Sequence, residues 1–152
     1  MSKATITQPD RELPCNIDSE RVVLGNLIED GTLLSGILES GLKASDFSLS
    51  DHQRIFQAIL DLRQQGAPVD HVTLAEQLGQ QAEDIALIMA LIYGCVVESK
   101  HAIYHARLVK RKAALRELLR QGEWLQTAAA EVGADPELVI SAAIGKLQEV
   151  RL

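Results

Sequence analysis

Residues 98–127 read ESKHAIYHARLVKRKAALRELLRQGEWLQT. The stretch contains no Pro, and its only Gly is Gly122. Pro breaks a helix interior and Gly weakens one, so the spacing predicts a single helix of roughly 25–30 residues, about 40 Å long at 1.5 Å per residue. A rod of that length cannot lie wholly within a compact domain built from 152 residues. On its helical wheel, Leu108, Leu115, Leu118, Leu119, Gly122 and Leu125 share one arc, with Tyr104 on the same side. That arc is expected to be an apolar seam. Ile103, Val109, Ala113, Ala114 and Trp124 lie off it and would be left for a second chain to cover. Downstream, Val132-Gly133-Ala134 makes a tight connection, and Asp135-Pro136-Glu137 restarts a helix with a capping side chain, a Pro in the first turn and an acid beside it. The second helix has Ile140, Ala143, Ile144, Leu147 and Val150 as its apolar face. Two helices joined this closely fold back as an antiparallel hairpin.

Upstream, the pattern is one of shorter helices. Asp18 or Ser19 can cap a helix with Val23, Leu24, Leu27 and Ile28 at helical spacing, ended at Gly31. Leu33, Leu34, Ile37 and Leu38 form the next, stopped by Gly41. Ser50 or Asp51 caps a third, with Ile55, Phe56, Ile59 and Leu60 inward and Leu62 close by, and Gly66 with Pro68 ends it. Thr73-Leu74-Ala75-Glu76 has the spacing of a capping box and opens a short helix. A fifth runs from about Ala82 to Tyr93, with Ile85, Ile88, Met89 and Ile92 on one face. The expected fold is therefore all-α: a globular bundle of about five short helices followed by a long antiparallel helical hairpin. Three regions result. Residues 1–13 form a flexible arm, 14–97 a globular helical subdomain, and 98–152 a hairpin for oligomerisation.

Only 3% of residues are aromatic while 47% are hydrophobic, so the core is aliphatic. The N-terminus has no apolar leader, and no run of 18 apolar residues occurs; a cytoplasmic protein is expected. Cys15 and Cys95 have neither metal-type nor redox-type spacing and read as free thiols. The net charge of −6 disfavours general attraction to phosphate backbones. It is unevenly spread. Between Arg107 and Arg120, six cations face Glu117 alone, a net of +5 that leaves −11 for the rest. Lys112, Arg116 and Arg120 form an i, i+4, i+8 stripe that could meet nucleic acid; a solvated helix face or ion pairs with acidic groups of a neighbouring subunit are together favoured over that. Weak or no direct DNA binding is expected.

Candidate chemistry is sparse. His101 and His105 stand one turn apart, with Glu98 a turn earlier, but no further metal ligand is indicated and no metal is expected. His52 and His71 read as packing residues at a loop and a helix start. No nucleophile–base pairing suggests itself, so neither a catalytic site nor a cofactor is expected.

The chain from Pro14 to Leu152 resembles the amino-terminal domain of DnaB-type replicative DNA helicases. Pro14 to Glu20 followed by Val23-Leu24-Gly25 is similar to that family's opening motif. Phe47, His52, Ile55-Phe56 and Leu62 resemble its next helix. Gly66-Ala67-Pro68-Val69-Asp70 with Val72-Thr73-Leu74-Ala75-Glu76-Gln77-Leu78 is the most specific match. Tyr104, Ala106, Val109, Lys112 and Leu115-Arg116-Glu117-Leu118 resemble the first hairpin helix. Between Leu78 and Glu98 the family's Gly-Gly and Pro-Ser-Ala-Ala-Asn signatures are missing. The resemblance implies a collar domain that forms homo-oligomers, as dimers or a ring of dimers, and docks primase and sometimes a helicase loader. The parent protein it implies is an ATP-dependent helicase. No Gly-x-x-x-x-Gly-Lys-(Ser/Thr) phosphate loop occurs in the sequence, so no ATPase is assigned to this chain. The alternative is a free-standing helical adaptor that binds and regulates helicase, primase or loader. The hairpin interface is expected at Tyr104, Leu108, Leu115, Leu118, Leu119, Leu125, Ile140, Ile144 and Leu147.

Overall fold

A computed structural model describes residues 12–94 and 99–152, the side chain of Ser99 excepted. The predicted arm over 1–13 lies almost entirely outside the described residues, as do Cys95 and Glu98. Among those described there are seven α-helices and no strand: α1 (Ile17–Glu29), α2 (Leu34–Glu39), α3 (Ser50–Gln64), α4 (His71–Gln77), α5 (Ala82–Tyr93), α6 (Ser99–Ala130) and α7 (Pro136–Glu149). The expected bundle of five short helices and the hairpin are both present.

Several helix ends differ from expectation. The cap of α1 is Asn16, whose side-chain oxygen accepts from the Ser19 backbone N–H at 3.0 Å; Asp18 and Ser19 lie inside the first turn. The helix stops at Asp30, whose carboxylate accepts from the Thr32 N–H and hydroxyl. Gly31 instead opens a 3₁₀ turn and lies hard against the neighbouring loop. A Cβ there would sit 2.8 Å from Cβ of Val69. α3 starts after Leu49 with no side-chain cap. Thr73 is not the cap of α4. Asp70 is, accepting from the N–H groups of Val72 and Thr73, while the Asp70 N–H donates to the Thr73 hydroxyl.

α1 is the central element. Val23, Leu24 and Leu27 are fully buried, and Ile28 nearly so. Fully burying one such side chain contributes ~1.5–3 kcal/mol. α6 and α5 both pack on α1 but scarcely touch one another, so α1 separates them. The core does not stop at residue 97: Ala102, Ala106 and Val109 of α6 belong to it. Small residues there let the long helix approach α1 closely.

A polar keystone fixes α1 against α3. Glu20 is 1% exposed. Its carboxylate accepts from the Ser48 N–H at 2.7 Å and from His52 Nδ1 at 2.6 Å. The His52 ring meets Phe47 edge-on, and Phe47 packs on Phe56. Burial pushes the Glu20 carboxyl up, but hydrogen bonds from His52 and Ser48 and the charge of His52 outweigh it and leave the group below its ordinary value.

Candidate functional site

α6 has two apolar faces, and the structure assigns them the reverse of the expected roles. The inner face carries Ala102, Ala106, Val109, Ala113 and Arg116 at alternating spacings of four and three. All are buried except Ala113, which is half-buried. Ile103 and Trp124, also placed off the seam by the wheel, are half-buried rather than free. The leucine arc points outward. Tyr104, Leu115, Leu118 and Leu125 are between 39% and 59% exposed, while Leu108 and Leu119 are half-buried. The sequence held a usable signal: the small residues follow a strict heptad, as a helix does when it packs along another surface. Side-chain size pointed the other way, because the large residues are the outer ones.

α7 lies along the second half of α6. Val139, Ala143, Lys146 and Val150 recur at i, i+4, i+7, i+11 and are half-buried. Lys146 Nζ stands 4.8 Å over the Trp124 ring, a cation–π contact between the two helices. Ile140, Ile144 and Leu147 form a neighbouring stripe, about 100° round the helix, and are each about half exposed (48–58%). Val150 and Ala143, expected on that same face, turn inward. The hairpin therefore presents two outward apolar stripes. One follows Tyr104 to Leu125, the other Ile140 to Leu147.

The cations are arranged differently from expectation. Lys112, Arg116 and Arg120 do not form one open stripe. Arg116 is 5% exposed, donating to the backbone oxygen of Pro14 at 2.7 Å and to that of Asp46 at 2.5 Å. Lys110 is also buried, and its ammonium donates to the Asp46 carboxylate at 3.0 Å. These two residues clamp the segment before α1 and the turn before α3 onto α6. Arg120 pairs at the surface with Glu117 at 2.6 Å. The Glu117 carboxyl is held below its ordinary value by the Gln121 amide, then by Arg120 and Lys146. Sequence reasoning missed the structural use of Lys110 and Arg116; the position of Arg116 on the heptad was the available clue.

His105 does not stand free for a metal: its Nδ1 is hydrogen-bonded to the Ser19 hydroxyl at 2.8 Å. Among the described residues no three His, Cys, Asp or Glu side chains converge as a metal site, and no helix is long and apolar enough to cross a membrane. Cys15 is a free, exposed thiol. The most extended feature available for function is a surface.

Comparison with known proteins gives this surface a setting. A family profile described as the DnaB-like helicase N terminal domain matches residues 12–111. The chain is 35% identical over 115 residues to the replicative DNA helicase DnaB of Geobacillus stearothermophilus, covering 73% of this chain and 25% of that protein. It is 31% identical over 147 residues to the replicative DNA helicase DnaB of Mycobacterium leprae (strain TN), covering 92% and 24%. The chain thus spans about a quarter of the length of the curated relatives it matches. The crystal structure of the N-terminal domain of DnaB helicase from Mycobacterium tuberculosis superposes with a TM-score of 0.80 at 30% identity, covering 91% of this chain and all of that one. A DnaB-like replicative helicase, described with its interactions with primase, shares the fold with a TM-score of 0.70 at 20% identity, over 90% of this chain and 32% of that one.

Proposed function

The chain belongs to the DnaB-like helicase N-terminal domain family, and on that footing we propose that it is a collar that self-associates through the outer face of its hairpin and offers a docking surface to primase or a helicase loader. The hairpin over 98–152 is the associating unit in this reading, and the bundle over 14–97 is the rigid base that aims it. The observation that carries the proposal is the pair of outward apolar stripes, Tyr104–Leu125 on α6 and Ile140–Leu147 on α7. Exposed large apolar side chains aligned in stripes mark a protein–protein contact, and covering each contributes up to ~1–3 kcal/mol. The primase part rests on the likeness of fold to the helicase described with its primase interactions. The chain's share of the parent helicase's work is assembly and docking, since its sequence holds no phosphate loop. Direct DNA contact by Lys112, Arg116 and Arg120 loses its main support with the burial of Arg116.

The test is sedimentation of Leu115→Asp and Leu118→Asp variants across a concentration series. Both positions are exposed in the single chain, so folding is retained. A carboxylate trapped in an apolar contact is costly, and each variant is expected to weaken self-association at least ~10-fold, about 1.4 kcal/mol. Association unchanged in both variants would sink the hairpin interface.

A further inference from the structure

We infer that the cleft where the hairpin meets the head is a binding site for a phosphate group. The site is built within one chain, so it stands or falls separately from self-association.

The cleft has a volume of about 260 Å³ and mostly polar walls. Residues of the turn before α3, of the middle of α6, and of the end of α7 and just beyond line it together. Arg116 distinguishes it from an ordinary surface gap. This side chain is 5% exposed and keeps its charge at any ordinary pH. Its two hydrogen bonds go to backbone oxygens, those of Pro14 and Asp46. A guanidinium has five N–H donors, so three have no acceptor among the described residues, and no carboxylate there balances the charge. A buried charge without a counter-charge is costly. An anion in the cleft supplies both the counter-charge and the missing acceptors.

The other charges of the lining define that anion. Lys110 and Arg120 are already engaged by Asp46 and Glu117, at 3.0 and 2.6 Å. Lys43 and Arg151 are exposed and have no ion pair among the described residues; nor has Glu149, the remaining carboxylate. Arg116, Lys43 and Arg151 against Glu149 leave a net charge of +2. Inorganic phosphate or a phosphate monoester carries close to −2 at neutral pH and presents three or more acceptor oxygens in different directions. That matches both the charge and the placing of the donors on three separate elements. A carboxylate is planar and singly charged and would satisfy Arg116 alone. Arg116 is reached from within the cleft and not from the outer surface of α6, which suits a small anion and not a nucleic-acid strand. Such a ligand has a mechanical effect too. α7 packs on α6 and on little else, and a shared phosphate would tie its end to the head.

Isothermal titration of the 152-residue chain with inorganic phosphate and with adenosine monophosphate, at neutral pH and constant ionic strength, tests this. Saturable binding of one phosphate group per chain is expected, and the tighter probe tells whether the group arrives free or on a nucleotide. Lys43 and Glu149 are exposed, so their variants keep the fold. Lys43→Glu is expected to weaken binding about 10-fold, and Glu149→Gln to strengthen it. Arg107→Glu makes the same change of charge on α6 outside the cleft and is expected to leave binding unaltered. Leu118→Asp is expected to leave it unaltered as well, whatever it does to association. Absence of saturable binding by both probes, equal losses in Lys43→Glu and Arg107→Glu, or loss of binding in Leu118→Asp overturns the inference.

Discussion

Glu20, Phe47 and His52 belong to two separate stretches that resemble the family's motifs, and they meet at one point. A buried carboxylate is tolerated only when hydrogen bonds satisfy it; Ser48 and His52 do so. The motif is thus a bracket between α1 and α3 and lies inside the head, away from the outer surface of the hairpin. Because the folded carboxyl is held below its ordinary value of 4.5, its contribution is fully present above that value and disappears as pH falls through the lower folded value. Glu20→Gln is expected to lower stability at neutral pH by about 3 kcal/mol, as loss of one member of a buried pair does. It should also flatten the decline in stability below pH 4.5. Urea unfolding at a series of pH values measures both, and a decline as steep as in the unaltered chain would contradict the assignment.

At the scale of helices, ends were harder to read than bodies. The limits of α5, Ala82 and Tyr93, agree with its periodicity and with Gly94 beyond it. The start of α4 was displaced by three residues because two candidate boxes overlap. Thr73 with Glu76 has the right spacing, but Asp70 precedes it and both of its partners lie within reach. Asp70→Ala should destabilise the protein by about 1 kcal/mol and speed amide exchange in the first turn of α4. The same change at Asp18, which caps nothing, should leave that exchange unaltered. For α6, its length was legible but its orientation was not. Both faces are apolar, and a wheel does not rank a face of alanine and valine against one of leucine. The decision is tertiary: only small side chains let a helix lie close along α1, and Lys110 and Arg116 then find carbonyl and carboxylate partners that no local pattern announces.

Over the whole molecule, head and hairpin are joined through α6 and by Arg116. Its guanidinium holds the Pro14 carbonyl, ahead of α1, and the Asp46 carbonyl, ahead of α3. Hydrogen bonds to a charged donor contribute ~1.5–3 kcal/mol each. Arg116→Ala should therefore lower the melting temperature and accelerate exchange over residues 12–16, whereas Arg120→Ala, which removes only a surface pair, should shift stability by less than ~1 kcal/mol. Equal effects of the two would contradict the clamp. The all-helical class, the hairpin and the leucines as one set were legible in the sequence; that the set faces outward, and which cations the fold would use internally, were not.

α6 runs without a break from its buried first half to the loop before α7. Mechanically it is a cantilever, fixed between Ala102 and Arg116 and projecting about 21 Å beyond the fixed end at 1.5 Å per residue. A tilt of roughly 10° at the fixed end carries the tip almost 4 Å, more than half the pitch of a helix. The two alanines at the root, Ala102 and Ala106, are wholly buried and leave no slack. The aim of the hairpin is consequently set far from its tip, so that a methyl group added at the root would re-point every surface the tip presents.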